Sequence, residues 1–169
     1  MNNYKRAIIL LISFFVLVEL QAQEQKFKFP SVDLKTLDGR TFNTADIKNV
    51  GKPILISFWA TWCKPCIKEL IAYDEYYVDW KEETGVKIII ISIDDSKSVD
   101  RVAPFVNGRA WEFESYLDEN SSFKRAMNVI NVPHSFLFDG DGKLVWQHTS
   151  YAEGDEDELY ELLLEISKK

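Results

Sequence analysis

Ile54-Leu55-Ile56-Ser57-Phe58-Trp59-Ala60-Thr61-Trp62-Cys63-Lys64-Pro65-Cys66 is the stretch that decides the fold of this 169-residue chain. Gly51-Lys52-Pro53 punctuates the sequence just before it, and the run from Ile54 to Ala60 is apolar at nearly every position. That pattern reads as a parallel strand buried on both faces. Beyond it, Ile67, Leu70, Ile71, Tyr73, Tyr77, Val78 and Trp80 recur at helical spacing until Gly85 stops the helix. The two cysteines, the only ones in the chain, therefore stand where a strand hands over to a helix. The partial positive charge of a helix N-terminus favours a thiolate, and two thiols three positions apart can close on each other. Thiol-disulfide chemistry follows, with Cys63 delivered to the surface as the attacking thiol and Cys66 behind it as the resolving one.

A bare C-x-x-C also serves zinc and covalent haem. A structural zinc site wants four ligands, and the only histidines, His134 and His148, are spaced far more widely than a zinc finger requires. Covalent haem needs His directly after the second cysteine, where this chain has Ile67. No metal or cofactor is implied. A purely structural disulfide remains an alternative, although a bridge spanning three residues closes almost no loop and gains little from chain entropy.

Residues 1–22 read as an export signal. Lys5 and Arg6 form a positive n-region, residues 7–18 an apolar h-region, and Ala22 offers a small residue for cleavage. The apolar run of 12 residues falls short of the ~20 that a spanning helix needs, and Glu19 interrupts it. Leu20 is larger than signal peptidase prefers at that position, so an uncleaved N-terminal membrane anchor is the alternative. With no cysteine in this segment, a lipid-modified cysteine anchor is excluded. The remainder, residues 23–169, suits one domain in a periplasmic or otherwise extracytoplasmic setting. Formal charge is −7, which argues against nucleic acid as a ligand.

Elsewhere, Asp38-Gly39 lies between extended stretches at 32–37 and 40–42 and predicts a hairpin, with Thr44 capping a short helical turn through Ile47. Residues 86–93 read as a second buried strand. Helices at 99–106 and 121–127 flank a short strand at 113–117. Val132-Pro133 opens a strand at 135–138, and Asp139-Gly140-Asp141-Gly142 turns it into an antiparallel return at 144–148. Asp155 and Glu158 have capping-box spacing ahead of a last helix whose apolar stripe is Leu159, Leu162, Leu163 and Ile166. The fold class is α/β, a central mixed β-sheet flanked by helices.

Over nearly all of residues 27–169 the chain resembles the thioredoxin superfamily, and within it the exported TlpA/ResA-type disulfide reductases. The residues that carry the likeness are Phe58 through Cys66, Glu69, Val132-Pro133 heading a strand, and Asp139 through Lys143 in the closing hairpin. The N-terminal β-hairpin and the helix-strand insertion between Asp94 and Asn120 are similar to features that set this subgroup apart from plain thioredoxin.

The resemblance implies roles. Cys63 would be the nucleophile, Cys66 the resolving thiol, and Pro65 the residue that rigidifies their ring. Trp62, Lys64, Pro65, Val132, Pro133 and His134 would line the substrate groove. Pro133 matches the superfamily's cis-proline, which presents the preceding backbone to a bound peptide. Lys64 would add positive charge near the thiolate, with a plain solvated side chain as its alternative reading. His134 stands where many relatives carry Thr, either as a titratable group tuning the pair or as a polar residue of the groove. Thioredoxin has a buried Asp six residues before its first cysteine, where this chain has Ser57. Glu69, one helical turn after Cys66, is the expected substitute as proton acceptor, against the alternative of an exposed helix carboxylate.

The function expected is reduction of protein disulfides by an exported thiol-disulfide oxidoreductase. Its partners would be disulfide-containing exported proteins, apocytochrome c being one client route in relatives, and a membrane thiol electron donor. The alternatives are a non-redox binding module using the groove beside Pro133, and a thiol oxidant. A peroxidase is disfavoured because peroxiredoxins place Thr three residues before the reactive cysteine, where this chain has Ala60.

Overall fold

The structure, a computed structural model, describes residues 27–168. The export signal or anchor expected at residues 1–22 lies outside them. Among the described residues no helix is long and apolar enough to cross a membrane.

Seven strands form one mixed sheet: β1 (Asp33–Thr36), β2 (Thr41–Asn43), β3 (Ile54–Trp59), β4 (Lys87–Ser92), β5 (Glu114–Leu117), β6 (His134–Phe138) and β7 (Leu144–Thr149), in the order β2-β1-β5-β4-β3-β6-β7. Four helices accompany them: α1 (Lys64–Thr84), α2 (Val102–Asn107), α3 (Ser122–Ala126) and α4 (Asp155–Ser167). β3 pairs in parallel with β4 and antiparallel with β6, so the strand that leads to the cysteines is flanked on both sides. Every residue of β3 is buried, as its unbroken apolar sequence requires. Each large side chain so buried contributes roughly 1.5–3 kcal/mol.

Alternation along β3 divides the core in two. Leu55 and Trp59 pack with Tyr73, Tyr77 and Trp80 of α1, Val102 and Val106 of α2, and Leu159 and Leu163 of α4. Ile54, Ile56 and Phe58 point the other way, toward Phe123 of α3 and Leu34 of the hairpin. Because antiparallel partners share a face, Ser57 and Ser135 lie on the α1 side, whereas Phe58 and His134 lie on the α3 side.

Three local expectations need correction. The 3-10 turn at Thr44–Asp46 is capped by Asn43, whose Oδ1 accepts from Ala45 N at 3.0 Å. Thr44 is buried instead, its Oγ1 accepting from Val32 N at 2.9 Å. The capping box at Asp155 and Glu158 does not form, because Asp155 already lies in the first turn of α4 and Gly154 (φ 103°) is the cap. The Asp155 carboxylate accepts from Ala152 N at 2.7 Å and lies 3.1 Å from His148 Nε2. Finally, Ile71 and Val78 face solvent, 49% and 66% exposed. The buried stripe of α1 runs through Cys66, Glu69, Leu70, Tyr73, Tyr77, Trp80 and Thr84, a tighter i, i+3, i+4, i+7 series that leaves those two off it. Gly85 closes the helix at φ 72°, donating its N–H to the Lys81 carbonyl at 2.9 Å.

Candidate active site

β3 ends at Trp59, and the chain turns through Ala60-Thr61-Trp62 to place Cys63 at the N-cap of α1. Buried Asp94, just past β4, holds that turn. Its carboxylate accepts from Thr61 N at 2.8 Å, Thr61 Oγ1 at 2.6 Å and Ser92 Oγ at 2.8 Å. The threonine hydroxyl two residues before Cys63 is thus committed to Asp94, and Ala60 at the third position is buried and has no hydroxyl to offer.

Cys63 and Cys66 form a disulfide, with Cα atoms 5.3 Å apart. Cys63 Sγ lies 3.3 Å from Cys66 N, which points its N–H at the sulfur as a helix N-terminus does toward an anion. Pro65 lies in the first turn, where its missing N–H costs nothing. Trp62, Lys64 and Pro65 are exposed around the pair, Trp62 at 62%. Contrary to the expectation of an exposed thiol, Cys63 is only 6% exposed and Cys66 fully buried. The ring turns the first sulfur inward, between the start of α1 and the β6 entry, where the Val132 carbonyl oxygen is 3.7 Å from Cys63 Sγ. The Val132–Pro133 bond is cis. Of the expected groove residues, Val132 stands beside the sulfur through its carbonyl, while Trp62, Lys64 and Pro65 flank the cysteines along the chain.

His134 is next in sequence but does not share the face of α1. It turns to the α3 face, stacked on Phe136 with ring centroids 4.3 Å apart, while α1 covers the other face. Burial lowers its pKa from the usual histidine value, so the ring is neutral at pH 7.

Glu69 is the opposite case. It is 1% exposed, which excludes the solvated helix carboxylate. Ser57 Oγ donates to its Oε2 at 2.8 Å, while Ser135 Oγ at 3.1 Å and Tyr73 OH at 3.2 Å donate to Oε1. Burial pushes its pKa up to about 7; the three hydroxyls oppose that rise, and negative Asp155 adds to it. A carboxyl three residues from Cys66 on one helix face, half ionised near neutral pH, can take up and return a proton.

Sequence reasoning missed Tyr73, Ser135 and Asp94. The signal for Ser135 was present: two serines interrupt otherwise apolar strands, and they are cross-strand partners in the sheet.

Residues 26–147 match the AhpC/TSA family. Thiol-disulfide oxidoreductase ResA of Bacillus anthracis is 34% identical over 151 residues, covering 84% of each chain. Sporulation thiol-disulfide oxidoreductase A of Bacillus subtilis is 29% identical over 126 residues, 73% of this chain and 74% of the relative. The solution structure of a thioredoxin-like protein from Porphyromonas gingivalis is 48% identical, covers 83% of this chain and 92% of its own, and superposes with a TM-score of 0.74. A disulfide-capable pair at a helix start, in a thioredoxin-like fold with such relatives, makes the chain a thiol-disulfide oxidoreductase belonging to the AhpC/TSA family.

Proposed function

We propose that the protein is an extracytoplasmic reductase of protein disulfides in which Cys63 attacks, Cys66 resolves and Glu69 handles the proton. The observation that carries this reading is the position of Cys63 Sγ, between the N–H of Cys66 and the carbonyl of Val132. The first contact favours a thiolate once the pair is reduced. The second puts backbone capable of pairing with an extended peptide beside the reacting sulfur. The signal-like residues 1–22 support the location, and the resemblance to exported reductases supports the client class, including apocytochrome c, and a membrane thiol electron donor.

The steps balance. Cys63 thiolate attacks one sulfur of a client disulfide, forming a mixed disulfide and releasing the other client sulfur as a thiolate. Cys66 gives its proton to the Glu69 carboxylate, and the resulting thiolate attacks Cys63 Sγ. The Cys63–Cys66 disulfide forms as the second client sulfur leaves, and protonation gives the reduced client its two thiols. The client has gained two electrons and the protein has lost two, which the donor dithiol restores.

Two measurements test this. Alkylation of the reduced protein against pH should show Cys63 reacting faster, with an apparent pKa below the ~8.5 of a free thiol, while Cys66 stays shielded. Faster reaction at Cys66 across neutral pH would reverse the assignment. Redox titration against glutathione should place the midpoint nearer thioredoxin (about −270 mV) than DsbA (about −120 mV), because Lys64-Pro65 supplies no histidine between the cysteines and neutral His134 adds no cation. A midpoint more positive than about −150 mV would make the protein an oxidant.

A further inference from the structure

The α1 face of the sheet is largely apolar, with Ser92 of β4 buried at one point and a second polar cluster around Glu69. There Ser57 of β3, Tyr73 of α1 and Ser135 of β6, three hydroxyls from three elements, converge on the two oxygens of Glu69. All four side chains are buried. A buried acid needs no more than one partner to avoid being orphaned, and three donors exceed that need. Hydroxyls that donate favour the ionised form over the neutral one, which must spend one oxygen as a donor itself.

We propose that Ser57, Tyr73 and Ser135 are positioning residues that keep Glu69 ionised against its burial and direct the proton of Cys66 to Oε2. The inference rests on Glu69 being the proton acceptor. Oε1 already accepts two hydrogen bonds, one for each lone pair, whereas Oε2 accepts one. The open lone pair is therefore on Oε2. When the proton arrives there, the Ser57 hydroxyl keeps its place on the other lone pair of Oε2, so the transfer breaks none of the three hydrogen bonds. Tyr73 is the other ionisable residue of the cradle. The groups that face Glu69 are Ser57 from β3, Tyr73 from α1 and Ser135 from β6, with Cys66 one turn earlier on the buried face of α1; Asp155 of α4 acts at longer range and is itself paired with His148 of β7. Tyr73 is held neutral, its pKa raised well above the ordinary value by burial and by Glu69, so it serves as a donor throughout the working range.

The full chain is the test object. Ser57→Ala, Ser135→Ala and Tyr73→Phe are compared with the unmodified protein by carbon NMR titration of the Glu69 carboxyl and by single-turnover resolution of a Cys63 mixed disulfide across pH 5 to 9. Each lost donor should raise the Glu69 midpoint by about one pH unit. Resolution should slow about tenfold below the midpoint and converge on the unmodified rate at high pH. A structural role alone would lower rates equally at every pH and leave the midpoint in place. Ser57→Thr and Ser135→Thr keep the hydroxyl and should restore the midpoint, which guards against a packing defect in the alanine variants. Unmoved midpoints in all three variants would overturn the proposal. The two readings separate cleanly: a midpoint that moves while Glu69→Gln leaves resolution unchanged would retain the cradle's hold on ionisation and remove Glu69 as proton acceptor, and with it the directed transfer to Oε2.

Discussion

Cys66→Ser should stop turnover and convert the protein into a covalent trap, with client proteins accumulating as mixed disulfides on Cys63. The expectation follows from burial. Cys66 is fully enclosed and Cys63 retains a sliver of access, so a client can reach only the first sulfur. Once the mixed disulfide has formed, release depends on a thiol three residues away at the start of the same helix. A neighbour so placed acts at an effective concentration that millimolar external thiol cannot match, and release should fall by at least ~10³-fold. Non-reducing electrophoresis and mass spectrometry of adducts from the native host would read the outcome and identify the clients. Undiminished insulin-reducing turnover by the variant would show that Cys66 is not the resolving group. A Cys63→Ser protein that kept full biological activity would instead favour a binding module over an enzyme.

Glu69→Gln should slow that same resolving step by ~10²-fold, the lower end for general acid-base catalysis. It should also change how stability depends on pH, and there the sign is the reverse of the usual carboxylate. An unfolded glutamate titrates near 4.5, whereas burial moves Glu69 to about 7 in the folded chain. Between those values the native state binds more protons than the unfolded one, so stability is highest at low pH and declines as pH rises through 7. The loss is on the order of 3 kcal/mol. The amide cannot ionise, so urea unfolding should show the variant gaining on the unmodified protein from pH 5 to pH 8. A constant difference between the two proteins over that range would mean that Glu69 ionises as an ordinary surface acid.

The parts of this architecture legible in the sequence are those specified by neighbours along the chain. The run from Ile54 to Trp59 announced a strand buried on both faces, Gly85 a helix end, and Asp38-Gly39 a hairpin, because each depends on local backbone preference or on periodicity. The cysteine pair was legible from its place between strand and helix, and Pro133 only through the family resemblance. What escaped depends on groups that meet only in the folded state. That Asn43 rather than Thr44 caps the turn is decided by the Pro30–Val32 segment, which captures the threonine hydroxyl. Asp155 falls inside the first turn of α4, with Gly154 as its cap, and its carboxylate meets Ala152 N and His148 of the adjoining strand. The sequence places Glu69 three residues beyond Cys66, but its enclosure follows from Ser57 and Ser135 pairing across 78 positions of chain. His134 shows the converse: its proximity to Pro133 in sequence is undone by strand alternation, which sends its ring through to the far face.

The β1–β2 hairpin has a consequence for how molecules of this protein meet one another. Without it, β5 would present a free backbone edge, continuous through β4 with the most apolar strands of the sheet. β1 takes up that edge, pairing antiparallel at Lys35–Leu117 and Thr36–Tyr116, and β2 then forms the outer border. A border three residues long, beside exposed Asp33, Lys35, Asp38 and Arg40, offers a second copy little ladder to extend and charge on every approach. The hairpin is thereby a guard of this sheet edge against strand-to-strand self-association.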